Sequence, residues 1–333
     1  MAIKKNTSYF QKTDFYFSVF AAYYSFVLAA NFAAGANPAI IQRYVASLVF
    51  CTDVYIIFRM LDLRDVTFNA LATGALLLMT AVTIYFSIDG FFYLRSLDEA
   101  TNPESLATYQ GFARSYIFTF LIIVANVKSV TARLLFYGLA TASLFLNGAR
   151  SEFSAVLFIV PIIELYHAKY KLYSVTLAFF LSIWLAANAD DLLRLLPENR
   201  ILQLFDLSHS SSGAAREQLS LDAWRTIAQN PILGDFASYA DGHYAHNILC
   251  GWVDFGLVGL IFFAALLIFP AVQLFANGYF ANKKSGDFIL AFSFCCIAIL
   301  WALTAKAVPD MSIGAALGAF AKYRYLTRYR QPT

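Results

Sequence analysis

Charged residues are scarce in this sequence of 333 residues, where Asp, Glu, Lys and Arg together account for 14%. Soluble globular proteins carry about 25%, so the composition argues against a water-soluble enzyme. Hydrophobic residues make up 60%, and the mean hydropathy is +0.61. The formal net charge of +3 is small and its charges are dispersed, which argues against nucleic-acid binding. The composition predicts an all-α, polytopic membrane protein.

Cysteine is rare as well, with four residues in the chain. All four lie inside apolar runs, where a free thiol behaves as a small hydrophobic side chain. Because no polar loop contains a cysteine pair, a framework of disulfides is excluded, and purely structural roles are expected. The four are Cys51, Cys250, Cys295 and Cys296.

Candidate metal ligands are also few. His243 and His246 are close in sequence, but they lack the companion ligands and the thiols of a zinc site. Asp190 and Asp191 form a single acidic pair, which is a weak signal for a magnesium-bound diphosphate. We therefore expect no metal and no other cofactor.

Long apolar runs make up most of the chain. Ten of them approach the length of about 20 residues that a helix needs to cross a bilayer. No internal repeat and no long linker separates them, so residues 1–333 are predicted to form a single membrane domain. The predicted spans are 15–36, 38–58, 66–88, 112–127, 134–148, 151–166, 172–189, 247–275, 287–305 and 311–326.

The distribution of basic residues orients these spans through the positive-inside rule. With the N-terminus in the cytoplasm, 15 of the 24 basic residues fall on the inner side. This arrangement requires a tight outer hairpin at Asn147-Gly148-Ala149, because one continuous helix over 134–166 would reverse every later loop. Both termini are then cytoplasmic, and residues 190–246 form one large periplasmic loop.

The nine basic residues left on the outer side include eight arginines. The planar guanidinium grips phosphate with two bonds, which an ammonium group does not. Two interpretations stay open, namely contact with phospholipid headgroups and a cavity for a phosphorylated lipid. Arg43, Arg114 and Lys306 are secondary candidates for the cavity, because a charge at membrane depth normally faces a polar space. The nine are Arg43, Arg95, Arg114, Arg150, Arg194, Arg200, Arg216, Arg225 and Lys306.

A short amphipathic helix is predicted within the large loop, from Ala214 to Gln229. The serine-rich run 210–213 before it supplies a hydroxyl cap for the first backbone N–H groups. Leu219, Ala223 and Ile227 follow one another at helical spacing and form the apolar face. We expect this face to pack on the membrane-embedded part of the protein.

Arg216 lies within about 20° of this apolar face, given 100° per residue, whereas Arg225 lies half a turn away and should face water. A cation in the first helical turn opposes the helix dipole, which favours an anion there. A bound anion would satisfy both the guanidinium and the free N–H groups. The alternative is a salt bridge from Arg216 to Glu152, Asp190 or Asp191.

His246 lies where the loop re-enters the membrane, directly before a strongly apolar run. Neutral histidine accepts a proton near pH 7, as a general base must. The alternative for a histidine in a loop is simple polarity or a helix cap. Its position at the membrane boundary makes His246 the candidate base.

Two stretches of the chain, residues 148–152 and 213–260, resemble the O-antigen ligase and polymerase superfamily. In the loop, Arg216 and the amphipathic helix lead to Asn230-Pro231-Ile232-Leu233-Gly234, which ends the helix in a turn. The chain continues to His246-Asn247 and to Asp254-Phe255-Gly256-Leu257-Val258-Gly259. Upstream, Gly148-Ala149-Arg150-Ser151 is similar to the superfamily's motif of small residues and an arginine.

The resemblance implies a GT-C-like helical fold and a metal-independent, inverting glycosyltransferase of the bacterial inner membrane, with a periplasmic active site. It makes Arg150 and Arg216 the clamp on the diphosphate of an undecaprenyl-diphosphate-linked glycan, and it makes His246 the catalytic base. The interval between His246 and Gly256 is slightly shorter than in the superfamily, so Asp254 is given no catalytic role.

Three functions stay open at this point. The first is a polymerase that elongates lipid-linked O-antigen, capsule or exopolysaccharide. The second is an O-antigen ligase that transfers finished glycan to lipid A-core. The third is a flippase or transporter for a lipid-linked sugar, although the inverted repeats typical of transporters are not evident. The expected partners are the lipid-linked donor, a glycan acceptor, membrane lipids and a chain-length regulator, with no nucleic acid.

Overall fold

The computed structural model describes residues 10–88, 91–92, 109–188, 201, 211–239, 245, 247–282, 284–305, 308 and 310–329. These residues are almost wholly helical, apart from one short antiparallel hairpin of β1 (Ser87–Ile88) and β2 (Phe91–Phe92). The helices are α1 (Lys12–Ala33), α2 (Pro38–Met60), α3 (Val66–Phe86), α4 (Tyr109–Asn126), α5 (Val130–Asn147), α6 (Arg150–His167), α7 (Lys171–Ala187), α8 (Ser211–Gln229), α9 (Leu249–Leu274) with a following π-helical turn (Phe275–Tyr279), α10 (Gly286–Thr304) and α11 (Met311–Tyr329).

A helix occupies each of the ten predicted apolar runs, and α8 is the amphipathic helix expected in the loop. Large apolar side chains such as Leu71 and Leu78 on α3 are exposed, as a surface that faces lipid requires. The chain is an all-α, multi-pass membrane protein, while the number of ten crossings stays a prediction. Six helices of the described residues are long and apolar enough to span a bilayer: Lys12–Ala33, Pro38–Met60, Val66–Phe86, Val130–Asn147, Leu249–Tyr279 and Gly286–Thr304.

Local sequence signals explain where several helices begin and end. Pro38 opens α2 behind Asn37, whose side-chain oxygen accepts the N–H of Ala39 at 2.9 Å, and proline is tolerated in the first helical turn. Asp65 caps α3 in the same way. Gly148 ends α5 in the left-handed conformation, with φ 76°, a conformation that glycine adopts without a Cβ penalty. The predicted tight turn at residues 147–149 is therefore confirmed.

The chain divides into two compact units. The first unit comprises Met1–Leu61, Ala214–Lys283 and Leu290–Thr333, and the second comprises Asp62–Gly213 and Lys284–Ile289. The prediction of a single membrane domain over residues 1–333 stays a prediction.

In the first unit, α2 and α11 approach each other at two glycines of α11. A Cβ atom on Gly314 would lie 2.1 Å from the carbonyl oxygen of Cys51, and one on Gly318 would lie 2.3 Å from that of Tyr55. Small residues at this four-residue spacing let two membrane helices pack backbone to backbone. The close approach of α2 and α11 therefore depends on these two glycines.

A buried ion pair joins α1 to α2 in the same unit. The carboxylate of Asp14 accepts a hydrogen bond from Arg59 Nε at 3.0 Å and another from the Tyr55 hydroxyl. It also accepts the backbone N–H of Gln11 at 2.6 Å. A buried charge is tolerated when it is paired and hydrogen-bonded, and here the Asp14 charge is neutralised within the unit.

In the second unit, polar contacts join neighbouring helices. The hydroxyl groups of Thr80 on α3 and Tyr116 on α4 are 2.8 Å apart, and Tyr116 also donates to Ser143 on α5 at 3.2 Å. Arg133 on α5 holds Glu164 on α6 through two hydrogen bonds of 2.6 and 2.9 Å. Such contacts let buried polar side chains act as interhelical links inside an apolar bundle.

Candidate active site

The loop after α8 is bound to α9 by main-chain hydrogen bonds within the first unit. The backbone N–H of Leu257 donates to the carbonyl oxygen of Ile232 at 3.0 Å, and that of Asp235 donates to the carbonyl oxygen of Val253 at 2.7 Å. The indole N–H of Trp252 adds a bond of 2.7 Å to the carbonyl oxygen of Pro231. We call this arrangement of residues 231–235 and 252–257 the loop–helix lock.

Two glycines make the loop–helix lock sterically possible. Gly234 has φ 73° and Gly256 has φ 67°, both in the left-handed region. A Cβ atom on Gly234 would lie 2.2 Å from the carbonyl oxygen of Val253, and one on Gly256 would lie 2.3 Å from that of Ile232. No other residue type meets both requirements, because only glycine lacks the Cβ atom.

The prediction of one continuous helix over 247–275 is wrong at Gly256. Its backbone angles of φ 67° and ψ −176° are not helical, so α9 consists of two helical segments that meet at this residue. The break frees the N–H of Leu257 to bond Ile232 rather than the preceding helical turn. The predicted turn at Gly234, in contrast, is confirmed.

Replacing Gly256 with alanine should lower the thermal unfolding midpoint of the purified protein by about 5 °C or more, because the added Cβ atom strains a left-handed residue and collides with a carbonyl oxygen. The change is measured by thermal unfolding in detergent micelles. Gly74→Ala on α3 is the control, because its Cβ atom would meet nothing within 4 Å. Equal midpoints for the two variants would rule out the loop–helix lock.

Asp254 lies in the middle of the loop–helix lock and is buried. Its carboxylate accepts the Tyr44 hydroxyl of α2 at 2.7 Å and the backbone N–H of Ala237 at 3.1 Å. Ala237 adopts φ 57°, a strained value for a residue with a side chain. Burial and the nearby Asp254 carboxylate raise the pKa of the Tyr239 phenol. Asp254 therefore positions the loop against α2 and α9.

Helix α8 presents the faces that its sequence predicts. Ala223 and Ile227 are buried, whereas the Arg225 side chain is 69% exposed and forms a 2.9 Å ion pair with Asp222. Arg216, on the apolar side of the wheel, is partly buried. The prediction that Arg225 faces away from the apolar seam is confirmed.

The start of α9 is held against α8 next to the predicted base. The side-chain amide of Asn247 donates to Ser220 Oγ at 3.4 Å, and its oxygen accepts the N–H of Leu249 at 2.9 Å. Ser220 follows Arg216 by one helical turn, a spacing that separates Cβ atoms by about 5–6 Å. The residue after His246 therefore contacts the helical turn that follows Arg216. His246 itself lies outside the described residues.

In the second unit, Arg150 opens α6 directly after the Gly148 turn and is 9% exposed. Glu152, fully buried, accepts the Ser151 hydroxyl at 2.7 Å and lies 3.8 Å from Arg114 Nε of α4. Arg114 and Glu152 thus form a largely buried, charged cluster, and Arg150 lies two residues before Glu152 on α6.

Asn147, at the end of α5, borders this cluster in sequence. Its side chain is buried, and neither its amide nitrogen nor its amide oxygen has a hydrogen-bond partner. Buried polar atoms are nearly always hydrogen-bonded in proteins, so this amide is an unusual feature of the end of α5. Sequence reasoning identified Arg150 but not Asn147.

The other candidates lie in different places. Arg43 is exposed on α2, one residue before the Tyr44 that bonds Asp254. Lys306, like His246, lies outside the described residues. Arg150 and Arg216 belong to different units, so their convergence on one diphosphate stays a prediction.

Across the described ranges, no group of three His, Cys, Asp or Glu side chains is arranged to hold a metal ion. All four cysteines are free thiols. Metal independence of the candidate site stays a prediction.

Comparison with known proteins supports the fold. No protein-family model matches the sequence, and no curated protein matches it significantly. A chain from the solved structure described as "Structural coordination of polymerization and crosslinking by a peptidoglycan synthase complex" matches with a TM-score of 0.54 and 14% sequence identity. The match covers 94% of this chain and 98% of that chain. Because fold alone does not determine function, the likeness establishes a shared polytopic architecture, and the O-antigen superfamily is not confirmed.

Proposed function

We propose that the protein is a metal-independent, inverting glycosyltransferase that polymerises undecaprenyl-diphosphate-linked oligosaccharide repeat units at the periplasmic side of the bacterial inner membrane. In this proposal the chain has ten membrane spans, a GT-C-like architecture and cytoplasmic termini. The shared fold with a chain from a peptidoglycan synthase complex supports lipid-linked glycan chemistry. The observation that carries the proposal is the contact of Asn247 with Ser220, because it links the residue after His246 to the helical turn that follows Arg216.

The arginines are proposed to hold the donor diphosphate. Negative charge accumulates on the diphosphate as the glycosidic carbon leaves it, so fixed guanidinium groups stabilise the transition state more than the ground state. Arg150 opens α6, where the free N–H groups of a helix start add to the attraction for an anion. Arg216 lies in the second turn of α8, because that helix begins at Ser211 rather than at the predicted Ala214, so its proposed role depends on the guanidinium alone. Arg114, Arg43 and Lys306 remain secondary contacts in this proposal.

His246 is proposed to act as the general base. The acceptor sugar hydroxyl attacks the anomeric carbon from the face opposite the diphosphate, a new C–O bond forms, and the old C–O bond to the diphosphate breaks with inversion. The imidazole takes the hydroxyl proton as the bond forms. Asp254 and Tyr44 act as positioning residues, because they hold the loop that precedes His246 against two helices.

A strain that lacks the protein distinguishes the proposed polymerase from an O-antigen ligase. Loss of a polymerase should leave a surface glycan of a single repeat unit, whereas loss of a ligase should leave none. The measurement is the length distribution of the surface glycan on a gel. Purified protein in vesicles tests the third function, since transport of lipid-linked glycan without bond formation would show a transporter and contradict the proposal.

A further inference from the structure

The first unit contains a cavity of about 640 Å³ between α1, α9 and α11. It lies at the end of the unit where α1 begins and where α9 and α11 end, and the predicted topology places that end at the cytoplasmic leaflet. The loop–helix lock lies at the opposite end of α9, around Gly256. The cavity is therefore separate from the proposed active site, and its volume is in the range of small-molecule sites.

The walls of the cavity on α9 and α11 are mostly apolar, and their polar members are Gln273, Arg324 and Arg328. On α9 the lining residues run from Phe262 to Gln273 and recur every three or four positions, as one face of a helix does. On α11 they run from Leu317 to Arg328 with the same periodicity. Eleven residues of helix rise about 16 Å, which is half of the hydrocarbon thickness of about 30 Å. The cavity thus has the length of one leaflet.

Basic side chains line the polar end of the cavity. Lys12, Arg324 and Arg328 line it, and no acidic side chain is among the described residues that do so. The nearest acid in sequence, Asp14, is bound to Arg59. Lys12 and Arg324 therefore face a cavity whose described lining contains no carboxylate.

Gln11 gives a second, independent observation. Its side-chain nitrogen is buried, lines the cavity and has no hydrogen-bond partner. A buried amide donor without an acceptor is unusual. An ester or phosphate oxygen of a molecule in the cavity would accept its hydrogen bond.

From this combination we infer that the cavity binds one anionic phospholipid of the cytoplasmic leaflet. One acyl chain lies along the apolar stripes of α9 and α11, and the phosphate contacts Lys12 and Arg324 with the Gln11 amide beside them. A soluble anion would leave the apolar walls unused, and a zwitterionic lipid would gain less from the cations. This inference is independent of the proposed glycosyltransferase activity.

Binding is tested on the full-length protein purified in detergent, with dioleoyl phosphatidylglycerol as the probe. We expect this lipid to raise the thermal unfolding midpoint and to remain bound in native mass spectra. Dioleoyl phosphatidylcholine and inorganic phosphate should do neither. Equal effects of the two lipids would overturn the role of the cations, and an equal effect of inorganic phosphate would overturn the role of the acyl chain.

Two variants locate the binding site. Lys12→Gln combined with Arg324→Gln should weaken phosphatidylglycerol binding about tenfold or more, given the attraction of each basic residue for an anionic lipid. Ala265→Trp should fill the cavity and reduce binding further. Arg64→Gln, which removes an exposed cation outside the cavity, is the control and should bind as the unmodified protein does. Unchanged binding by the double variant, with an unfolding midpoint like that of the control, would refute the assignment.

Discussion

Replacing Arg216 with lysine is expected to reduce turnover of an undecaprenyl-diphosphate-linked oligosaccharide by about 100-fold or more. Lysine keeps the charge but presents a single ammonium group, which does not reproduce the two parallel hydrogen bonds of a guanidinium on a phosphate. Arg216 is partly buried, so it is less accessible to bulk water than the exposed Arg225 on the same helix. The measurement is the rate of glycan elongation by the purified protein.

Arg225→Ala is the matched control on the same helix. The Arg225 side chain is 69% exposed and pairs only with Asp222 among its described ion pairs, and an exposed ion pair contributes at most about 1 kcal/mol. This variant should retain nearly full turnover. If it loses as much as Arg216→Lys, or if Arg216→Lys stays near the unmodified rate, the two-bond contact of Arg216 with the diphosphate is wrong.

Replacing His246 with alanine is expected to lower turnover by about 100-fold to 10,000-fold, the contribution typical of a general base. The affinity for the donor should change little, because the proposed role of His246 is toward the acceptor hydroxyl and not toward the diphosphate. Elongation and donor binding are therefore measured separately on the same preparation.

The control for this variant is His243→Ala, three residues earlier in the same loop. It removes an imidazole from the loop without removing the proposed proton acceptor, so it should remain active. Loss of donor binding together with turnover in His246→Ala would assign His246 to the donor site. Equal losses in both histidine variants would contradict a single base.

The sequence predicts most of the helices, because their signals are local. Each membrane helix is an apolar run long enough to be recognised on its own, and α8 is marked by a serine-rich start, a 3.6-residue apolar period and a terminating Pro231. The tight turn at Gly148 follows from charge distribution and from the glycine itself. The signals for the helices come from residues within one or two turns of each other, and the structure has a helix at each of these positions. The turn at Gly148 is confirmed as well.

The break in α9 is not predictable in this way. Gly256 stands in a strongly apolar run, where a glycine is tolerated inside a membrane helix. Its backbone lies against that of Ile232 and Leu233, which belong to a distant segment of the chain. Tyr44 is missed for the same reason, since it meets Asp254 across 210 positions of sequence. Interactions between distant segments leave no periodic signal in the chain.

Part of the candidate site is predictable from motifs alone. Arg150 opens α6 as its motif implies, and Asn247 bonds Ser220. Arg216 lies in the second turn of α8 rather than the first, because the helix begins at Ser211. The cluster of Arg114 with Glu152 and the unsatisfied amide of Asn147 are not predictable, because they arise where separate helices meet.

The loop–helix lock is built mainly from main-chain atoms, and the Trp252 indole is its one side-chain donor among residues 231–235 and 252–257. The carbonyl group of Ile232 anchors the lock, yet the side chains of Ile232 and Leu233 are 66% and 86% exposed. Descendants of this protein are free to exchange these two side chains while keeping the architecture, whereas positions 234 and 256 are held to glycine. Divergence among such proteins should therefore accumulate at the exposed side chains of the loop and leave its backbone hydrogen bonds to α9 intact.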